Sequence, residues 1–185
     1  MKIRKRKCKI CHEQFQPSRQ MQPVCSVKCA IEKVKMDKAK KRREYDRKER
    51  EKLKTRSQWL RETQQIFNRF IRERDKRLPC ISCGKHHTGQ YHAGHFYTTA
   101  SRPDLRFGSR GEDNCHKQCS ACNSHLSGNI HAYRENLILK IGQERVDALE
   151  KVGRSDWSIE EIKEIKKKYQ QKIKELGNEN KADNS

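Results

Sequence analysis

Long apolar runs are missing from this chain. Hydrophobic residues make up 32% of its 185 positions and aromatic residues 6%, and nowhere do they form the roughly 20-residue apolar stretch of a membrane-spanning helix. Helical membrane proteins are thereby excluded, and with 37% of residues charged little is left for a sizeable core. No apolar segment follows the basic start Met1-Lys2-Ile3-Arg4-Lys5-Arg6-Lys7, so no secretory signal is expected, and the nine cysteines are read as reduced, in a cytoplasmic protein. Acidic residues are also in deficit, 24 against 44 lysines and arginines, for a net charge of +20. Such an excess points to a polyanionic partner, because each phosphate neutralised releases condensed counterions. Nucleic acid fits better than an anionic membrane surface, which would want a basic helix with a broad apolar face.

Reduced cysteines in a chain with little core point to metal. Cys80 and Cys83 form one Cys-x-x-Cys pair, Cys119 and Cys122 another, and four thiolates can hold one structural zinc. Gly84, directly after Cys83, suits the tight turn of a zinc knuckle. A second set, Cys8, Cys11, Cys25 and Cys29, gives an N-terminal finger over residues 1–30, with His12 read as a surface residue beside it. A structural zinc is worth roughly 10–16 kcal/mol of apparent binding energy in small peptides, enough to stand in for a missing core. Cys115 is left over and reads as a buried, inert thiol.

Around these sets the chain divides by composition. Ala30 to Arg56 carries 13 basic and six acidic residues, a net +7, with apolar positions too sparse for a buried stripe. Residues 31–56 are therefore expected to form a solvated helix held by local ion pairs, which still attracts phosphate. Over 57–78, Ser57 is expected to cap a helix whose Trp59, Leu60, Phe67, Phe70 and Ile71 face a core, up to Pro79. Residues 79–130 would be the zinc-stabilised core and 131–177 further helices, the last opened by a Ser158/Glu161 capping box and a Trp157/Ile162 staple. Its stripe, Ile162, Ile165, Tyr169, Ile173 and Leu176, closed by Gly177, serves either a homodimer or packing on Trp59 and Phe67 in the same chain. Residues 178–185 read as a disordered tail.

The central cysteine pairs bracket chemistry-bearing residues that the zinc does not need. Structural zinc sites are closed, so catalysis would fall to His92, His95, Asn114 and Asn123. Hydrolysis of a phosphodiester needs a base to activate water and a held cation to stabilise developing charge. A neutral His95 can be the base, and Asn123, with His92 or His125, can hold a Mg2+- or Mn2+-like ion completed by water and phosphate oxygens. Arg102, Arg106 and Arg110, between His95 and Asn114, and Lys117 are candidate phosphate contacts, with a solvated loop as the alternative for the arginines. His86 and His87 read as solvated loop residues; His116 is a candidate metal or phosphate contact.

The order Cys80-x-x-Cys83, His95, Asn114, Cys119-x-x-Cys122 and Asn123 resembles the zinc-stabilised HNH endonucleases, also called His-Me or ββα-metal nucleases. In that family the first His is the general base, the middle Asn braces the loop, and the residue after the last Cys is a metal ligand on a helix. His92-Ala93-Gly94-His95, Arg106-Phe107, His116-Lys117-Gln118-Cys119, Cys122-Asn123-Ser124-His125 and Ser127-Gly128-Asn129 are more closely similar to the NinG family of lambdoid phages, also called Rap. Tyr133-Arg134 and Ile141-Gly142-Gln143-Glu144 extend that resemblance to most of the chain from Cys80 to Leu176. The resemblance implies an α+β fold, a small zinc-stabilised HNH (ββα-metal) core flanked by long helices with a separate N-terminal zinc finger. It also implies a recombination endonuclease in a bacterial host or phage-infected cell, cutting branched double-stranded DNA such as Holliday junctions and D-loops beside recombination proteins. One departure stands out: the HNH pattern puts a metal ligand immediately before the base, where this chain has Gly94. On an extended strand His92 would share the pocket with His95 only if Ala93-Gly94 formed a bulge. Two rivals use the same charge and cysteines: a non-catalytic zinc-finger DNA-binding or recombination-mediator protein, and an RNA-binding zinc protein.

Overall fold

The computed structural model describes residues 4–182 and divides into two compact units, Met1–Lys54 and Thr55–Ser185. In the first unit a two-residue hairpin, β1 (Arg6–Lys7) and β2 (Gln14–Phe15), precedes helix α1 (Val27–Lys52). Ser26 caps α1 by accepting a hydrogen bond from the Cys29 amide at 3.3 Å, which sets Cys29 in the first turn of the helix. Finger and basic segment are therefore continuous, and the boundary expected at residue 30 falls inside α1. The core here is small: Cys8, Val24 and Cys29, with Ile10, Phe15, Cys25 and Ala30 against them. Along α1 only Cys29 is buried, and pairs such as Lys33/Asp37 and Arg42/Asp46 link its exposed turns.

The second unit gathers the remaining segments around two neighbouring cores. Helix α2 (Arg56–Arg74) is capped by Thr55 rather than Ser57. Thr55 accepts from the Gln58 amide at 3.3 Å and its own amide donates to Gln58 Oε1 at 2.8 Å, whereas Ser57 has only Leu60 three residues on, with nothing to offer in return. The strands β3 (Tyr91–His95) and β4 (Cys115–Cys119) form an antiparallel pair with unbroken register from Tyr91 opposite Cys119 to His95 opposite Cys115. Helix α3 (Gly108–Asn114) leads into β4, and α4 (Ile130–Ile141), α5 (Gln143–Glu150) and α6 (Ile159–Ala182) follow.

Ile81, Phe96, Leu105, Tyr133, Leu137, Val146 and Leu149 make one core. The other joins α2 to α6: Phe67, Phe70, Ile71, Phe107, Cys115 and Tyr169, flanked by Ile165, Ile173, Leu176 and Trp157. The Phe67 and Tyr169 rings meet edge to face at 5.0 Å, and Thr63 Oγ1 donates to Ile162 O at 3.5 Å. Of the two uses open to the terminal stripe, packing within the chain is the one observed. The Ser158/Glu161 capping box forms as expected, with bonds of 3.2 and 2.7 Å. Gly177 does not end α6. A lone helical glycine costs only about 1 kcal/mol, and the helix continues to Ala182, so most of the expected tail is helical and its last three residues lie outside the described ones.

A buried polar knot ties α2 to β4 and α4. Asp75, 2% exposed, accepts hydrogen bonds from Arg74 at 2.8 and 2.9 Å, Lys140 at 3.3 Å and the Lys117 amide at 3.0 Å. Burial would raise its pKa, but these donors and the Arg74 and Lys140 charges hold the carboxylate well below its usual range.

Candidate active site

Both cysteine sets are assembled. Within Cys8, Cys11, Cys25 and Cys29, and within Cys80, Cys83, Cys119 and Cys122, the sulfurs all lie within 4.8 Å of one another. A tetrahedral zinc with Zn–S bonds of about 2.3 Å sets sulfurs a little under 4 Å apart, so either set can hold one zinc ion. Donors surround the central sulfurs as bound thiolates require: the Cys119 amide reaches Cys80 Sγ at 3.3 Å, the Cys122 amide Cys119 Sγ at 3.5 Å, and Asn129 Nδ2 Cys122 Sγ at 3.8 Å. His87, expected to be merely solvated, puts Nε2 3.2 Å from Cys83 Sγ while its amide donates to Tyr91 Oη at 2.6 Å. Tyr91 in turn lies under the Lys117 ammonium, 4.3 Å from its ring centre.

The second cysteine pair carries the chain from β4 into a wide turn, Ala121–His125, and this brings Asn123 to His95. Both line an open pocket of about 440 Å³ with Phe96, Tyr97, Thr98, Ser101, Ser127, Gly128 and Ile130. His95 ends β3 against the Phe67 ring, 6.4 Å between centres. Its Nε2 is buried with no hydrogen-bond partner, while the ring is held by a bond to the Ala93 backbone. Burial, reinforced by the Arg106 charge and only partly opposed by the Ala93 bond, lowers its pKa to about 4. The imidazole is therefore neutral near pH 7, with an unused nitrogen at the pocket.

Asn114 is fully buried and fastens the loop that follows His95. Its Oδ1 accepts from the Tyr97 amide at 2.8 Å, its Nδ2 donates to Tyr97 O at 2.9 Å, and its own carbonyl accepts from Phe96 N at 2.8 Å. Across the pocket, Ser127, Gly128 and Asn129 have φ of 48°, 90° and 45°, three successive left-handed residues. Gly128 can take this without strain, and the turn delivers the N-terminus of α4, whose cap residue Asn129 makes no side-chain capping bond.

His92 is not part of the pocket. Because the β3–β4 register is unbroken, no bulge forms at Ala93-Gly94, and His92 shares its face of the strand with Gly94, opposite His95. Gly94 has a different job. A Cβ there would stand 2.8 Å from Gln118 Cβ and 2.9 Å from its Cδ, so the bare glycine gives Gln118 room to cross β3. Gln118 Nε2 then donates to Ser82 Oγ at 2.6 Å and Gly128 O at 2.5 Å, joining the zinc knuckle to the pocket turn, while Tyr133 Oη donates to Gly94 O at 2.9 Å. Gln118 and Tyr133 stand out in the sequence only as parts of family motifs, which assign neither of them these contacts. Gln118 stands opposite His92 through the β3–β4 register, which no local pattern in the sequence records.

The cationic candidates separate as well. Arg102 makes two bonds to Asp104, at 2.9 and 2.8 Å, and others to Glu150 O and Lys151 O; Arg110 bonds the same carboxylate at 3.1 Å as well as Ala148 O and Lys151 O. Lys117 donates to Lys76 O at 2.9 Å and is 5% exposed. The hydrogen bonds of these three are made within the protein. Arg106 differs: its Nε is buried without a partner, and its charge acts on His95. His125 is exposed and does not line the pocket. His116 is buried beside Asp75: Nε2 donates to Asp113 O at 3.1 Å and Nδ1 faces Arg74 and Lys140 at 2.8 and 3.0 Å. Burial lowers its pKa, and it contacts neither metal site.

Fold and sites together define a small α+β protein with two four-cysteine sets that could each hold a metal ion, in which no described helix is long and apolar enough to cross a membrane. A family model described as Bacteriophage Lambda NinG protein matches residues 1–179. Proteins named Protein ninG are similar along nearly their whole length: that of Escherichia phage lambda is 47% identical over 196 residues, 94% of each chain, and that of Salmonella phage P22 is 45% identical over 197 residues, 95% of each. This chain belongs to the NinG family. No solved structure matches it.

Proposed function

We propose that this protein is a divalent-metal-dependent DNA endonuclease of the HNH (ββα-metal) class that cuts branched recombination intermediates, Holliday junctions and D-loops among them. The observation that carries the reading is His95: a neutral imidazole with an unpartnered Nε2, sharing an open pocket with Asn123, on a loop that Asn114 fastens. A zinc finger that only bound DNA would have no use for such a nitrogen, since a buried unpaired polar atom costs stability and calls for an explanation. The net charge of +20 supports nucleic acid as the substrate class, and the resemblance to junction-cutting phage nucleases supplies the branched form.

In this mechanism His95 Nε2 takes a proton from the attacking water, and the Ala93 bond fixes which nitrogen is free to do so. Arg106, whose charge adds to burial in keeping the imidazole neutral, offers its guanidinium to the phosphate. The pocket lining contains no carboxylate, only the Asn123 amide and the Thr98, Ser101 and Ser127 hydroxyls as side-chain oxygens besides Tyr97. Such neutral donors fit a magnesium- or manganese-like ion that keeps most of its water and is held jointly with substrate phosphate, with Asn123 as its protein ligand. When bound, that ion would stabilise negative charge on the phosphate and leaving oxygen. Both zinc ions would be structural.

The test is a synthetic four-way junction incubated with magnesium. His95→Ala is expected to abolish cleavage and keep binding; undiminished cleavage by that variant sinks the assignment.

A further inference from the structure

The outward face of α2 carries a second groove, of about 340 Å³, lined by Ser57, Leu60, Arg61, Gln64, Gln65, Asn68 and Arg106. The helical positions recur at i, i+3, i+4, i+7, i+8 and i+11, beside the stripe of buried Trp59, Thr63, Phe67, Phe70 and Ile71. Three features single it out. Two buried polar atoms in the lining have no partner: Arg106 Nε, a donor, and Gln64 Oε1, an acceptor. Its ionic groups are of one sign, Arg61 and Arg106, and no carboxylate lines it. Arg106, finally, connects it to the pocket chemistry, since its charge is felt at His95.

We propose that this groove is a nucleotide subsite next to the scissile phosphate, with Arg106 and Arg61 on the backbone phosphate and the Gln64/Asn68 amide pair on an unpaired base. Gln64 Nε2 donates to Asn68 Oδ1 at 2.8 Å, which locks the two side chains together and leaves Gln64 Oε1 for a base amino or imino group. Amides that pair in this way match the donor and acceptor pattern of a base edge. The volume lies at the small end of ligand pockets, room for one nucleotide and not for a duplex. In a fully paired helix the Watson–Crick edge is already used, so the subsite takes a strand where pairing ends, as it does at a branch. The inference rests on the nuclease reading for its place beside His95 but is tested by binding alone.

The full-length protein is titrated by fluorescence anisotropy, without divalent metal, onto a fully paired duplex and onto the same duplex with a single-stranded flap, at several salt concentrations. Arg61→Ala, an exposed change, and Arg106→Met, which keeps the side-chain stem, should each lower the slope of log affinity against log salt by about 0.7–0.9, one phosphate contact. Gln64→Ala/Asn68→Ala should weaken flap binding roughly tenfold, the worth of one base contact, and leave duplex binding and the salt slope unchanged. Thermal unfolding checks that each variant is folded, and Arg61→Ala decides the phosphate half if Arg106→Met is not. An unchanged slope in Arg61→Ala overturns the phosphate half, and equal loss on both DNAs, or loss on neither, overturns the base half. None of these outcomes depends on cleavage, so a native protein that fails to cut any junction would remove the nuclease reading, and a His95→Ala variant that still cuts would remove the His95 assignment, without touching them.

Discussion

In the N-terminal knuckle the Cys8 amide donates to Glu13 O at 2.9 Å and the His12 amide to Cys8 O at 3.1 Å; in the central knuckle Cys80 N donates to Lys85 O at 3.0 Å and Gly84 N to Cys80 O at 2.9 Å. The residue after the second cysteine is left-handed in both, His12 at φ 61° and Gly84 at φ 65°. One turn is thus built twice, once with glycine and once with a residue that strains to adopt it. The surroundings differ more. Cys80, Cys119 and Cys122 are buried, while Cys11 is exposed and Cys25 half-buried. The first set closes a small finger at the start of a solvated helix, whereas the second fastens a β-pair, Gln118 and the pocket turn. A metal site gains a function from what its backbone positions, and the same knuckle serves a finger in one unit and a pocket in the other.

The comparison breaks most decisively at the cysteines. Cys119→Ser should remove one zinc by elemental analysis and disorder β3–β4, because roughly 10–16 kcal/mol of zinc affinity in small peptides is also folding energy. Junction cleavage should vanish with it. Cys11→Ser should remove the other zinc and leave single-turnover cleavage intact; loss of cleavage there would mean that the finger shares in the chemistry. Gly94→Ala comes next, since its methyl collides with Gln118: a loss of about 1–3 kcal/mol is expected in denaturant unfolding of the second unit, while the first is unaffected.

A pH effect separates the units as well. His95 is held neutral, its folded pKa depressed to about 4. Its unfolded form takes up a proton first as pH falls, so its contribution to stability is complete above about pH 6.5 and is lost progressively down to its folded pKa. Burial depresses His116 in the same direction. The only histidine of the first unit, His12, is exposed. Relative to the native chain, His95→Phe should therefore gain about 2 kcal/mol between pH 7 and 5 in unfolding measurements, the value of 1.5 pKa units. An unchanged pH dependence would mean that the fold does not depress the pKa of His95. The smallest effect is at the left-handed residues: His12→Gly should stabilise the first unit by about 0.5–1 kcal/mol and Gly84→Ala destabilise the second by a similar amount, both read from thermal melts.

Much of this was legible because it is local. Cysteine spacing gave both metal sets, the 3.6-residue periodicity gave the α2 and α6 core faces, and Ser158 with Glu161 announced the start of α6. The site was legible in part: His95, Asn123 and Arg106 were named from order and spacing, together with His92, Arg102, Arg110, Lys117 and His125, which point elsewhere, are consumed internally or lie outside the pocket. Whether an arginine in a loop is free depends on a carboxylate such as Asp104 and on carbonyls nearly fifty residues away, at Glu150 and Lys151, and no local pattern records that.

The sequence by itself determined which residues can bind metal, the basic charge that seeks a polyanion, and the amphipathic faces that must be buried, since each follows from residue type and short-range spacing. Only the tertiary structure decided which histidine keeps an unused nitrogen. That depended on the unbroken register of β3 with β4, on Gln118 passing over Gly94, and on the burial of His95 against Phe67, all contacts between segments far apart in the chain.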